Sequence, residues 1–226
     1  QRTRRRGPGF GSRIIRLANE IDLKGMSVTI PFKQEVMGFL TDIEAHAEAI
    51  GAVNTVVWAG DRVYGYNTDW IGIREPLSEH HGKKAVLLGA GGAAAAAVYA
   101  LLSLDMEVTI LNRTVERAKV LGERFGCPYG PPSQFDRLTP DVVVNATSLG
   151  MEPELKSPLQ KHQLRSSMTV FDLVYTPPET PLLRIARNSG CSTIPGTEMF
   201  VRQAAAQFRH FTGIVPPLEL VRSAMP

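Results

Sequence analysis

The segment VLLGAGGAAAAAVYALL, residues 86–102, constrains the fold of this chain more than any other. Its initial apolar run predicts a buried strand, and its alanine-rich end favours a helix. Between them, Gly89, Gly91 and Gly92 suit a tight turn whose backbone can approach a pyrophosphate, with the N–H groups of the following helix facing the anion. Ala94 replaces the third glycine of the dinucleotide fingerprint, a change that the pattern tolerates. The segment therefore predicts a dinucleotide site, although similar turns also join strands to helices that bind no ligand.

The end of the next predicted strand indicates which dinucleotide binds. An NAD-preferring site places an acidic residue about 20 residues past the fingerprint. This chain instead has Asn112-Arg113-Thr114 at the strand end and Arg117 one turn into the next helix. Two guanidinium groups would bind a 2′-phosphate through charge-assisted hydrogen bonds, whereas a carboxylate would repel it. The expected cofactor is therefore NADP; the alternative is that both arginines belong only to a solvated helix face.

Apolar strands alternate with helix-like stretches from Lys83 onwards. The predicted strands are KAVLLG, EVTILN, DVVVNAT, TVFDLVY and STIPG, and a helix is predicted from Thr114 to Phe125. Strands spaced by helices indicate parallel βαβ units. The sequence therefore predicts an α/β fold built on a Rossmann-type doubly wound parallel sheet, with a smaller α/β domain before it.

The segments that precede the sheet are shorter. SRIIRLANEIDLKG favours an amphipathic helix, MSVTI a strand that ends at Pro31, and the stretch from about Lys33 to Ile50 a second helix. AVNTVVWAG and RVYGYNT alternate and are joined by Gly60-Asp61, which predicts a hairpin. We expect the domains to follow these ranges: 1–70 substrate binding, 71–196 nucleotide binding, and 197–226 helices that return to the first domain.

The formal net charge of +3 is concentrated at the start of the chain. Residues 1–24 hold seven basic and two acidic residues, so the remainder carries a net charge of −2. We expect residues 1–11 to form a disordered tail and expect no nucleic-acid partner. No stretch approaches the roughly 18 apolar residues of a membrane span, and Cys127, Cys191 and the five histidines show no disulfide or metal-ligand spacing. The expectation is a cytoplasmic monomer or homodimer that holds no metal.

Three polar clusters of the first part of the chain indicate a substrate site. SVTIPFK, GAVNT and YNTDW each place hydrogen-bonding groups, a lysine or an aspartate beside a predicted strand end. A lysine and an aspartate held together suit the oxidation of a carbinol: Lys33 would exchange the hydroxyl proton, and Asp69 would fix the ammonium group and bind the substrate. Taken singly, such residues are more often partners in exposed salt bridges.

These motifs occur in an order that resembles the shikimate dehydrogenase family. SVTIPFK, GAVNT, YNTD, GAGGAAAAA, NRT, NATSLGM, DLVY and the final helix with GTEMFVRQ span about residues 25–220. The resemblance implies reversible reduction of 3-dehydroshikimate to shikimate by NADPH, in a cleft between two α/β domains. It implies Lys33 and Asp69 as the catalytic pair, and a substrate contacted by Ser27, Thr29, Asn54, Asp69, Tyr175 and Gln203. It implies a cofactor site formed by Gly89, Ala90, Gly91, Gly92, Ala93, Asn112, Arg113, Thr114 and Arg117, with Asn145, Thr147, Met151, Gly196 and Met199 at the nicotinamide end.

The start of the chain departs from the family pattern. Family members carry an N-terminal βα unit whose loop binds the substrate carboxylate through two serines, and this sequence shows no counterpart. We therefore expect cofactor binding with reduced or absent turnover, because two hydrogen bonds to a carboxylate contribute about 1.5–3 kcal/mol each. Two alternatives stay open: a quinate/shikimate dehydrogenase that uses NAD, and a non-catalytic nucleotide-binding module.

Overall fold

The computed structural model describes residues 13, 17–18, 20–21 and 23–225. The predicted tail of residues 1–11 and most of the first predicted helix lie outside this described part. The chain divides into two compact units. The first comprises residues 1–67 and 207–214, and the second comprises residues 68–206 and 215–226.

The first unit is built on a four-stranded sheet in the order β1-β3-β4-β2. Its elements are β1 (Gly25–Ser27), a 3-10 helix (Glu35–Phe39), β2 (Asp42–Ile43), α1 (Ala45–Ile50), β3 (Thr55–Ala59) and β4 (Arg62–Tyr66). The β3–β4 hairpin turns through Gly60 and Asp61, with Ala59 paired to Arg62, which confirms the predicted hairpin. Valines 28, 36, 53, 56 and 63 form the core with Trp58 and Ala47.

The prediction of one helix from Lys33 to Ile50 is wrong. A 3-10 turn, the strand β2 and the short helix α1 take its place. The Thr41 and Glu44 N–H groups donate to carbonyls of β4, at 2.8 and 2.9 Å, and these bonds replace the ladder of a continuous helix. The Glu44 carboxylate then accepts the Ala47 N–H at 3.2 Å and starts α1 afresh.

The second unit carries a six-stranded, all-parallel sheet in the order β10-β9-β8-β5-β6-β7. Its strands are β5 (Lys84–Leu88), β6 (Glu107–Leu111), β7 (Tyr129–Gly130), β8 (Val142–Asn145), β9 (Thr169–Asp172) and β10 (Ser192–Ile194). Its helices are α2 (Asp69–Arg74), α3 (Ala94–Leu102), α4 (Val115–Phe125), α5 (Pro181–Asn188), α6 (Gly196–Thr212), whose last residues belong to the first unit, and α7 (Leu218–Ser223). Short 3-10 helices lie at Glu75–Leu77, Pro132–Arg137 and Lys161–Gln163.

This sheet confirms the predicted α/β fold class, and its five predicted strands are all present. The chain proceeds from β5 to β6 and β7, then returns to β8 on the other side of β5. The strand order thus reverses beside β5, and ligands of doubly wound sheets bind at the carboxyl ends of the strands next to such a reversal. The ends of β5, β6 and β8 are therefore where this fold is expected to bind a ligand.

The divisions between the units differ from the predicted domain ranges. The first falls between Asn67 and Thr68, and residues 197–206 and 215–226 group with the six-stranded sheet. One reason lies in α6, because its first residue, Gly196, is packed so closely on the Val174 carbonyl beyond β9 that a Cβ would collide with it. The functional roles assigned to these ranges stay predictions.

Candidate active site

The turn after β5 contains two glycines with different surroundings. Gly89 has φ of +110°, and a Cβ there would lie 2.9 Å from the Ala146 carbonyl group, so the backbone excludes any other residue. Gly91 is exposed, and a Cβ there would meet no atom of the described residues within 4 Å. Packing within the described residues therefore does not explain why position 91 is a glycine. A phosphate bound in the open space beside the N-terminus of α3 would explain it. Ala90, Gly92 and Ala93 complete this turn.

The end of β6 presents the two predicted arginines to solvent. Asn112 holds the turn, because its Nδ2 donates to the Thr114 carbonyl at 2.8 Å, and α4 begins directly after Thr114. Arg113 and Arg117 are exposed, and with the described residues neither forms an ion pair. Two exposed cations close to the carboxyl end of β6 fit a phosphate ligand.

The loop after β8 is held by the buried side chain of Asn145. Its Oδ1 accepts from the Thr147 N–H at 3.0 Å and the Thr147 hydroxyl at 2.7 Å. Its Nδ2 donates to the Leu149 carbonyl at 3.2 Å and to Asp172 Oδ1 at 2.8 Å. Asn145 is 0% exposed. The geometry therefore favours an indirect role for Asn145, in place of the predicted contact with the cofactor, while Thr147 and the exposed Met151 remain accessible.

Asp172 is a residue that the sequence reasoning missed. It ends β9 directly opposite Asn145 and is 0% exposed. Burial raises the pKa of this carboxyl, and hydrogen bonds from Thr180, the Val174 N–H and Asn145 act in the opposite direction. The available signal was an acidic residue inside the mostly apolar predicted strand TVFDLVY, since a buried acidic residue is uncommon unless the group has partners.

Helices α2 and α6 carry further predicted residues and touch each other at Gly72 and Met199. A Cβ on Gly72 would lie 2.5 Å from the Met199 carbonyl oxygen, so the two helices touch there. Asp69 begins α2 and is buried, and Gln203 lies one turn after Met199 on α6. Tyr175 is 45% exposed, and its ring lies 4.9 Å from that of Phe200.

The first unit gathers another group of predicted residues around Asn54. The Lys33 carbonyl accepts the Val53 N–H at 2.8 Å, which fixes the backbone of Lys33 next to Asn54. The Ser27 hydroxyl donates to Gln207 Oε1 at 2.9 Å, and Gln207 Nε2 donates to the Asn54 carbonyl at 3.1 Å. Sequence reasoning missed Gln207, although it lies four residues after Gln203 and so shares its helix face.

Thr29 lies beyond β1 and is exposed. Lys33 belongs to the first unit and Asp69 to the second. Their pairing stays a prediction.

Comparison with known proteins decides the family. Models of three families match the chain in order: the shikimate dehydrogenase substrate binding domain at 9–56, shikimate/quinate 5-dehydrogenase at 73–175, and the shikimate 5′-dehydrogenase C-terminal domain at 196–225. The chain is 43% identical over 199 residues to the shikimate dehydrogenase (NADP(+)) of Maridesulfovibrio salexigens, a match that covers 86% of this chain and 73% of that protein. The chain belongs to the shikimate dehydrogenase family.

Solved structures of shikimate dehydrogenases are similar in fold. One in complex with NADP+ matches with a TM-score of 0.91 and 36% identity, over 97% of this chain and 81% of that chain. The Thermus thermophilus enzyme, in complex with NADP(H) and shikimate, matches with a TM-score of 0.86 and 34% identity, over 95% of this chain and 82% of that chain. The resemblance inferred from the motifs is thereby confirmed. No helix within the described residues is both long and apolar enough to cross a membrane.

Proposed function

We propose that this shikimate dehydrogenase family member is an NADP-dependent enzyme that interconverts 3-dehydroshikimate and shikimate. The observation that carries the proposal is the pair of sites at the ends of β5 and β6. An open turn at Gly91 suits a pyrophosphate, and one strand away Arg113 and Arg117 suit a 2′-phosphate. The names of the similar proteins agree with this cofactor.

NADP, when bound, supplies or accepts the hydride. The strand order then suggests how it would lie. A dinucleotide with its pyrophosphate after β5 and its 2′-phosphate after β6 extends its other half towards β8, on the opposite side of β5. The loop with Thr147 and Met151 follows β8, which supports the predicted role of both residues at the nicotinamide end.

For the substrate, we assign the proton transfer to Lys33. In the oxidation of shikimate, Lys33 as the neutral amine would accept the proton of the reacting hydroxyl group and pass it on to water. Asp69 would hold the lysine ammonium and hydrogen-bond the substrate. Ser27, Thr29, Asn54, Tyr175 and Gln203 would contact the ring substituents. The cofactor contacts of Gly89, Ala90, Gly92, Ala93, Asn112, Thr114, Gly196 and Met199 belong to the same proposal.

The test is the reduction of NADP+ followed by absorbance with shikimate as substrate, beside quinate and beside NAD+. Turnover of shikimate with NADP+ above the other three combinations is the expected result. Preference for quinate with NAD+ would replace the proposal by the quinate/shikimate alternative, which the description of the matched shikimate/quinate family accommodates. Cofactor binding with no turnover of either acid, even when the serine-bearing loop of the family is fused to these residues, would indicate a non-catalytic module.

A further inference from the structure

Asp172 lies at the end of a chain of hydrogen bonds, and it determines which group donates and which accepts in each of them. Its Oδ1 accepts from two N–H donors, Asn145 Nδ2 at 2.8 Å and the Val174 N–H at 3.1 Å. Its Oδ2 lies 2.6 Å from the Thr180 hydroxyl, which in turn accepts the Leu183 N–H at the start of α5. Because Oδ1 can only accept in this geometry, the amide of Asn145 must turn its NH2 group towards Asp172.

The orientation of Asn145 then fixes the loop after β8. With Nδ2 towards Asp172, Oδ1 is left to accept both donors of Thr147. The Thr147 hydroxyl proton is used in that bond, so its oxygen accepts the Leu149 N–H at 3.1 Å. The reversed amide would place its NH2 group against the Thr147 N–H, and two donors cannot bond to each other. One buried acceptor therefore decides the conformation of residues 145–149.

The loop lies directly against the glycine turn. A Cβ on Gly89 would come within 3.0 Å of the Thr147 nitrogen, so the two backbones are in close contact. A shift of the loop of a few tenths of an ångström would change the surface next to the proposed pyrophosphate site. The chain of bonds from Asp172 thus reaches residues that would meet the nicotinamide half of the cofactor.

We propose that Asp172 is a positioning residue, which acts through Asn145 to hold the Thr147 loop in the conformation that binds the nicotinamide half of NADP. The inference rests on the proposed function for the identity of the ligand. It assigns to Asp172 no contact with cofactor or substrate, since its side chain is fully buried.

The test compares two ligands by calorimetry, NADP+ and adenosine 2′,5′-bisphosphate, which has the 2′-phosphate and lacks the nicotinamide. D172A is expected to raise the Kd of NADP+ about tenfold or more and leave that of the bisphosphate within about twofold. D172N keeps an acceptor for Asn145 and Val174, so both Kd values should stay within about threefold of the parent. T180V is the structural control, because it removes the other bond of Asp172 and the α5 cap; it should lower the Tm and leave both affinities unchanged.

Three results would overturn the inference. They are an equal rise in the Kd of both ligands in D172A, an unchanged Kd of NADP+ in D172A, and a Kd of NADP+ in D172N as high as that in D172A. If D172A does not fold, N145A takes its place, because it removes the link and leaves the carboxylate with Thr180 and Val174; unchanged NADP+ binding would then contradict us. Failure of the proposed function gives a different result, a parent protein that binds neither ligand.

Discussion

Lys33 is the side chain on which the proposed chemistry depends most directly. The Lys33 carbonyl accepts a hydrogen bond from the Val53 N–H, so a substitution of the Lys33 side chain should not disturb the backbone. K33A is expected to lower kcat by about 10²–10⁴-fold, the usual contribution of a positioned acid–base group. The Kd of NADP+ should not change, since the proposed cofactor residues lie elsewhere. K24A is the matched control at a lysine of the same unit, and comparable losses in both variants would contradict the assignment.

Arg113 and Arg117 determine the choice between NADP and NAD in this proposal. Each charge-assisted bond to a phosphate contributes about 1.5–3 kcal/mol, so R113A should weaken NADP+ binding about 10- to 100-fold. NAD+ binding should stay nearly constant, because NAD has no 2′-phosphate. The matched control is K119A on α4, the helix that follows Arg113, where the lysine already pairs with Glu123 at 3.7 Å. Equal losses of both dinucleotides in R113A would place the arginine outside the phosphate site.

At the scale of elements, the strand–turn–helix from β5 to α3 permits a comparison of two glycine substitutions. G89A forces a Cβ against the Ala146 carbonyl at a positive φ, a strain of about 1–3 kcal/mol that should lower the Tm. G91A has open space in the protein, so its Tm should remain close to that of the parent. Its methyl group would instead occupy the space meant for phosphate, and NADP+ binding should fall. Thermal unfolding and calorimetry of both variants separate the effects; a G91A variant with full affinity would remove the pyrophosphate from this turn.

The sequence predicted those elements whose pattern is local. Strands such as KAVLLG and the hairpin at Gly60-Asp61 carry their signal within a few residues, and the structure confirms both. The helix expected over 33–50 failed because β4, some 20 residues later, supplies hydrogen bonds that a local pattern does not contain. The same reason explains the missed site residues. Asp172 is hydrogen-bonded to Asn145, 27 residues away in the sequence, and Gln207 is hydrogen-bonded to Asn54, 153 residues away.

The end of α6 should make the first unit sensitive to acid. His210 stacks on Tyr66 of β4 with ring centroids 4.0 Å apart. Burial lowers the pKa of His210. The negative charge of Glu44 raises this pKa, and the positive charge of Arg209 lowers it. A histidine whose pKa is lower in the folded state contributes stability above its unfolded pKa of about 6.5, and this is lost as the pH falls through the folded value.

The variant H210F keeps a stacked ring and removes the titration, so its Tm should fall less than that of the parent between pH 7.5 and 5. Trp58 fluorescence in a W70F background reports this unit alone, because the chain has two tryptophans and only Trp58 lies in the first unit. H162F is the control at an exposed histidine of the second unit. Parallel acid curves for H210F and the parent would exclude His210 as the source.

At the scale of the whole molecule, the two proposed ligands depend on different parts of the chain. The proposed cofactor residues, from Gly89 to Met199, all belong to the second unit, which has its own sheet and core. The proposed substrate residues are divided, with Ser27, Thr29 and Asn54 in the first unit and Gln203 in the second. Cofactor binding should therefore tolerate changes in the first unit that substrate binding does not.

The serine-bearing loop gives the sharpest test of that separation. Relatives contain residues beyond the matched stretch, since the chain covers 81% of the NADP+-bound structure. A polypeptide of these 226 residues should bind NADP+, while the KM for shikimate should be raised roughly 10²-fold or more by the loss of two bonds to its carboxylate. Fusing to it the N-terminal βα unit of a family member that carries the two serines should lower the KM, and changing both loop serines to alanine in the fusion should raise it again. The Kd of NADP+ should be the same in all three proteins. If the 226-residue polypeptide already turns over shikimate as well as the fusion does, the carboxylate must be bound by groups within these residues, and the role given to the serine loop fails.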